Sequence, residues 1–195
     1  MSKALFAFIS LAVFFAPINT LAANYKIDSA HTQIMFKVRH MGIGSVNGVF
    51  KNFEGTFEYD PDKVAASKAS AKIKAASIDT QNEKRDTHLR DAEFLDVKKS
   101  EEMSFVSKSV KNVNGKNFIV EGDLTIRGVT KPVELAVEFG GAAKDPWGNE
   151  RAAFSASTSI NRKDFGLVWN KLLETGGLVV GEDVKITIEV EGIKQ

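Results

Sequence analysis

Apolar residues recur at every second position along most of the chain, the period of a strand with one face buried. Thr32, Ile34, Phe36 and Val38 alternate with Gln33, Met35, Lys37 and Arg39. Phe53, Gly55, Phe57 and Tyr59 alternate with Glu54, Thr56 and Glu58. The same period runs through residues 69–75, 117–126, 133–139, 151–160 and 183–190. Over 103–112 it is less clean, because Met103 and Phe105 fall opposite Val106 and Val110. With that stretch counted, the pattern predicts eight strands.

The punctuation between them agrees. Asn114-Gly115 is a strong two-residue hairpin signal between the fourth and fifth strands. Arg127-Gly128 separates the fifth from the sixth, and Pro132 restricts its position to a strand start or a sheet edge. Asp145-Pro146-Trp147-Gly148-Asn149 is a turn cluster before the seventh. Two stretches break the period. Residues 79–102 hold Thr80-Gln81-Asn82-Glu83, which has the form of a capping box, and a helix-forming run over 83–90 with Asp86 and Arg90 at i,i+4. Residues 161–181 hold Phe165, Trp169 and two consecutive glycines.

Eight alternating antiparallel strands with short loops close most simply into a barrel, which leaves no open edge. Lys, Glu and Asp occupy the polar face of nearly every strand, more charge than a narrow eight-stranded lumen can solvate. Two Trp and two Tyr are too few for two interfacial girdles. The apolar faces therefore point inward, and the strands do not span a membrane.

The first 22 residues read differently. Lys3 precedes an almost wholly apolar run over 4–16, Pro17 breaks it, and Thr20-Leu21-Ala22 supplies the small residues a signal peptidase reads. A bilayer span needs about 20 apolar residues, so this run fits a cleaved leader better than an anchor. Cleavage between Ala22 and Ala23 leaves one domain over 23–195 in the periplasm. Lys and Arg total 26 against 25 Asp and Glu, a balance that offers no field for nucleic acid. The absence of cysteine excludes disulfides, thiolate metal sites and thiol nucleophiles.

On pattern alone the inward residues Phe36, Val38, Phe53, Phe57, Ile73, Phe105, Phe118, Leu124, Leu135 and Phe154 suit a filled core better than a cavity wall, since small barrels often fill their lumen with side chains. Small inward residues among them (Gly55, Ala71, Gly122, Ala156) leave room that a filled core would not need. Arg85, Asp86 and His88 suit either a self-paired helix or a polar rim, where an Arg fork would meet a phosphate or carboxyl group. Arg162, Trp169 and Asn170 lie in the other interruption and form a candidate opposite rim, with Trp169 as a packing plug or a ligand contact. His31, His40 and His88 lack metal-ligand or triad spacing, and His31 is expected to bond to nearby backbone. No catalytic residue, metal or cofactor is expected, although converging carboxylates of a periplasmic enzyme leave no mark in sequence. A stress-related structural or partner-binding protein would fit the same fold.

Several long motifs occur in order: Ser77-Ile78-Asp79-Thr80-Gln81-Asn82-Glu83-Lys84-Arg85-Asp86-Thr87-His88-Leu89-Arg90 with Phe94-Leu95, the run 122–133, Asp145–Asn149 with Arg151, and residues 161–166. In these the chain resembles the YceI family, exported bacterial proteins described as polyisoprenoid-binding and lipocalin-like. The resemblance extends from Tyr25 to Ile193 and departs at Ser100-Glu101, where relatives carry an aromatic-Pro pair. It implies an elongated, lipocalin-like eight-stranded barrel with one or two short helices in the connections. The expected ligand is a long isoprenoid or fatty lipid with its polar end near the mouth, in a monomer or a homodimer.

Overall fold

The computed structural model describes residues 22–174 and 176–195; the expected leader, Ala22 apart, lies outside them. The strands are β1 (Ala23–Ile27), β2 (Gln33–His40), β3 (Gly44–Phe50), β4 (Phe53–Tyr59), β5 (Lys68–Lys74), β6 (Ile78–Asp79), β7 (Glu102–Asn114), β8 (Asn117–Ile126), β9 (Val129–Lys144), β10 (Glu150–Asn161) and β11 (Val180–Lys194). Among the described residues one α-helix occurs, α1 (Glu83–Arg90), between β6 and β7. The hydrogen-bonded order is β1-β4-β5-β7-β8-β9-β10-β11, and β11 pairs back to β1. The upper half of β11 pairs with β2, which pairs with β3, and β3 pairs with β6. β1 and β2 are thus two halves of one stave, as are β3 with β4 and β5 with β6. The result is a closed, eight-stranded antiparallel barrel, as the alternation predicts.

Local departures have local causes. The pattern missed β1 and β3, and β3 hides behind its glycines. Gly48 lies against Phe36, and a Cβ there would fall 2.3 Å from the ring. The uneven alternation of 103–112 comes from two register shifts against β8, between Ser107 and Ser109 and between Lys111 and Asn114. Val106 precedes the first shift and stays on the outer face opposite Met103 and Phe105, whereas the extra residue swaps the faces beyond it and turns Val110 into the core. Arg127 and Gly128 both take positive φ (51° and 74°), the conformation of the favoured two-residue hairpin. Pro132 pairs with β8 but lies before residue 136, where pairing with β10 starts, so its missing N–H breaks no ladder. β7 begins at Glu102 despite the unusual Ser100-Glu101.

The turns divide the barrel into two ends. One carries residues 60–67, the Asn114–Asn117 turn and the 145–149 turn. The other carries the 41–43 turn, the connection 80–101 with α1, the 127–128 turn and the connection 162–179. At the first end Tyr25, Phe57, Tyr59, Phe118, Val137 and Phe154 form a packed cluster. The Phe154 ring meets Phe57, Tyr59 and Phe139 edge-on or tilted, with centroids 4.9–5.3 Å apart. At the second end Ile78, Phe94, Leu95, Met103, Ile126, Phe165 and Leu167 roof the barrel.

Candidate functional site

Between the aromatic floor and the roof lies a cavity of about 410 Å³, lined almost wholly by apolar side chains. Val184, Ile186, Ile188 and Val190 all face it, which at about 3.3 Å per residue gives it ~20 Å of length along β11. Eight of the residues expected inside line it: Phe36, Val38, Phe53, Ile73, Phe105, Leu124, Leu135 and Trp169. Phe57, Phe118 and Phe154 correct that expectation, because they pack on one another's aromatic neighbours as the floor and do not line the cavity. Thr32 and Thr158, on the inward face of the alternation, line it too; sequence reasoning missed Leu89, Phe94, Leu95 and Val180, most of which the loops bring in without any strand period.

The roof is fixed by a knot of polar contacts. Asn82 caps α1, its Oδ1 accepting from the Arg85 N–H at 3.0 Å. Thr80, the residue expected to cap, instead donates its N–H and hydroxyl to Asp86 Oδ1, at 3.0 and 2.5 Å. Asp86 is buried and used up by this contact; it neither pairs with Arg90 nor reaches the cavity. Arg90 donates to the carbonyls of Ala76 and Ile78 and to Glu83. Arg85 does line the cavity, with Nε on Thr80 Oγ1 at 2.7 Å and Nη2 on Thr80 O at 2.8 Å. Its Nη1 makes no hydrogen bond among the described residues. His88 contacts Glu93 at 2.8 Å and sets its ring edge-on to Trp169, with centroids 5.0 Å apart.

The connection after β10 forms a strap over the opposite rim. Arg162 lines the cavity, is 4% exposed, and donates to the carbonyls of Gly181 (2.8 Å), Val180 (3.3 Å) and Leu167. No carboxylate among the described residues ion-pairs with it, since Glu182 takes Lys163. Burial pulls its pKa below the usual guanidinium range. Backbone carbonyls are thus its direct partners, with the Glu182 charge acting only at longer range, an expensive arrangement for a buried cation. Asn170 clamps the same strap through Val180, donating to its carbonyl at 2.6 Å and accepting from its N–H at 3.0 Å, and it does not line the cavity. The titratable side chains lining the cavity are Arg39, His40, Arg85, His88 and Arg162, with no carboxylate among them. Every charge the lining can carry is positive.

Asp28, His31 and Glu191 lie within 4.8 Å of one another, a spacing that would suit a metal. Arg151 already occupies it, with Nη1 at 2.8 Å from Asp28 and 2.5 Å from Glu191 and Nε at 2.8 Å from Asp145. His31 bonds the Asp28 carboxylate at 2.8 Å, a side-chain partner where a backbone one was expected. This cluster is an ion-pair lock on the barrel's outer wall.

The family model described as the YceI-like domain matches residues 25–192. The chain belongs to the YceI-like family. A relative called UPF0312 protein from Pseudomonas putida is 44% identical over 177 residues, 90% of this chain and 88% of its own. Protein YceI from Escherichia coli is 38% identical over the whole of both chains. A solved polyisoprenoid binding domain from Saccharophagus degradans, 14% identical, superposes with a TM-score of 0.66 over 90% of this chain and 100% of its own, which shows that the YceI-like chain shares its fold.

Proposed function

We propose that this YceI-like protein is an exported, periplasmic carrier or sequestering protein for a long-chain amphiphilic lipid, a polyisoprenoid or fatty-acid derivative. The hydrocarbon tail occupies the barrel and the head group rests at the mouth. The observation that carries this reading is the apolar cavity closed by an aromatic floor. Each methylene moved from water into such a lining is worth about 0.8 kcal/mol before ordering costs, so a long tail binds tightly without specific polar contacts. Three arginines in a lining without any carboxylate favour an anionic head, a phosphate or a carboxylate. Arg85 offers it a free Nη1, and Arg162 adds a buried positive charge to the lining from the opposite rim. The Saccharophagus neighbour, a polyisoprenoid binding domain, supports the tail chemistry. Binding rather than catalysis suits a lining that holds no carboxylate, with Asp86 taken up by Thr80.

Solvent extraction of the protein purified from the periplasm, followed by mass spectrometry, tests the proposal. One lipid with a long apolar tail and an acidic head is expected, on a chain beginning at Ala23, and chelators should leave it bound. A protein that yields no lipid and takes up none from anionic or neutral amphiphiles would overturn it.

A further inference from the structure

Seven large apolar side chains stand exposed among the described residues, and four of them cluster at the mouth: Met41 (41% exposed), Ile43 (84%), Val168 (64%) and Leu172 (78%). They sit on two segments that hydrogen bonds join. The Met41 N–H donates to Val179 O at 2.8 Å, and the Val179 N–H donates to Lys171 O at 3.0 Å. Leu172 bridges to Leu178 in the same strap. On both segments the exposed side chains are neighbours in sequence of cavity-lining ones: His40 beside Met41, Trp169 beside Val168, and Val179 and Val180 across from Lys171. Apolar surface thus continues from the cavity out over its lip. Met41 holds φ at 54°, a left-handed conformation that glycine or asparagine would adopt at lower cost. The remaining three (Val106, Val113 and Trp147) are scattered along β7 and at the floor end.

We propose that this lip docks on a lipid bilayer, so that cargo passes between membrane and cavity without crossing water. Four side chains on a turn and a strap are far short of the roughly 20–30 residues per partner in a stable protein–protein interface. They do suit shallow insertion at the headgroup boundary, where a few apolar residues flanked by basic ones suffice. Arg39 and Lys171 supply that basic flank, with one carboxylate, Glu174, in the strap beside them, and leave the lip net positive toward anionic lipid headgroups. Trp169, just inside, is the residue type enriched at such boundaries.

The inference rests on the reading of a lipid cargo, so docking and cargo binding are measured separately. The mature protein is floated with vesicles of phosphatidylethanolamine and phosphatidylglycerol, beside the double variant Ile43→Glu/Leu172→Glu and the floor-end control Trp147→Glu, which removes a side chain 82% exposed. Binding of a fluorescent fatty acid is followed without vesicles. The double variant is expected to lose about tenfold in vesicle partition coefficient, about 1.4 kcal/mol, while the control stays within about twofold and both keep the fatty acid. Docking is overturned if the wild type does not float, if the double variant floats equally, or if the control loses as much. It is also overturned if sedimentation finds a dimer that the double variant dissolves, which makes a second copy the occupant. Loss of fatty-acid binding by the wild type itself would sink the cargo reading and leave the flotation result standing.

Discussion

At the floor of the barrel, aromatic rings from β1, β4, β8, β9 and β10 reach across the lumen and meet. Toward the mouth the inward positions of β2, β8 and β11 hold Val38, Leu124, Val184, Ile186 and Ile188, and they surround empty volume. Both ends follow the same inward alternation. What separates them is what meets across the lumen: an eight-stranded barrel is just wide enough for side chains to fill, and at the floor rings converge on Phe154, whereas Phe36, Phe53 and Phe105 higher up stand among branched aliphatics and leave space between. The ends also differ in covering. Tight turns and termini finish the floor, whereas two long connections roof the mouth and bring every cavity-facing arginine and histidine with them except Arg39 and His40, which β2 supplies.

The sharpest break of this comparison removes the floor. Phe154→Ala takes away the ring that the other floor aromatics pack on, and a buried Phe→Ala truncation costs about 3–5 kcal/mol. Urea unfolding should show that loss equally with and without lipid, because the floor does not depend on cargo. A loss that lipid restores would mean that the floor belongs to the binding site.

The mouth responds to charge instead. Arg85→Met keeps much of the stem and removes the fork. A charge-assisted contact to an anionic head is worth about 1.5–3 kcal/mol, so affinity for prenyl phosphates or fatty acids should fall by that amount. The matching alcohol or amide should bind nearly as before. Equal weakening of both would assign Arg85 to holding α1 through Thr80 alone.

The sequence pattern conveys the barrel well because period-two alternation reports burial face directly, and burial face is what closes a barrel. It conveys the filled and hollow ends poorly, since Phe57 and Phe53 look alike in alternation and differ only in what stands opposite. The polar rim is legible in residue type and not in partnership. Asp86 and Arg90 at i,i+4 suggest a pair, yet buried Thr80 claims Asp86 and two carbonyls claim Arg90. Arg162 carries no sequence mark of its burial, because the carbonyls that hold it come from residues 167, 180 and 181. Such a contact is fixed by the strap's path, which no local pattern encodes.

Cavity-wall truncation sharpens the contrast at smaller amplitude. Ile186→Ala removes atoms that face empty space on one side, so the lipid-free protein should lose only about 1 kcal/mol, below the usual 2–5 kcal/mol of a packed site. With lipid bound the loss should grow, because the tail then supplies the missing contacts and the truncation takes them away. Denaturant midpoints measured in both states give the difference. Equal losses would make the upper barrel a packed core like the floor.

The smallest expected effect comes from acid, and it falls on the outer wall rather than on the mouth. Hydrogen bonds from Arg151, and then from His31, hold the Asp28 carboxyl down at about 2, below its ordinary value of 3.8. Burial alone would raise Asp145, but Arg151 and Asn149 outweigh it and hold that carboxyl low as well. A carboxyl depressed in the folded state stabilises the protein fully above its unfolded value, and the contribution is lost as pH falls through the folded one. Stability should therefore drop between about pH 4 and pH 2, by about 1 kcal/mol for Asp28 once solvent screening is allowed for. Arg151→Met removes the cause, so the variant should start less stable at neutral pH and lose less across that window. Thermal melts at stepped pH read both slopes. A variant with the wild-type slope would move the acid sensitivity away from this lock, to the paired carboxylates Asp79, Glu102 and Glu121, which Lys51, Lys74 and Lys111 hold low in the same way.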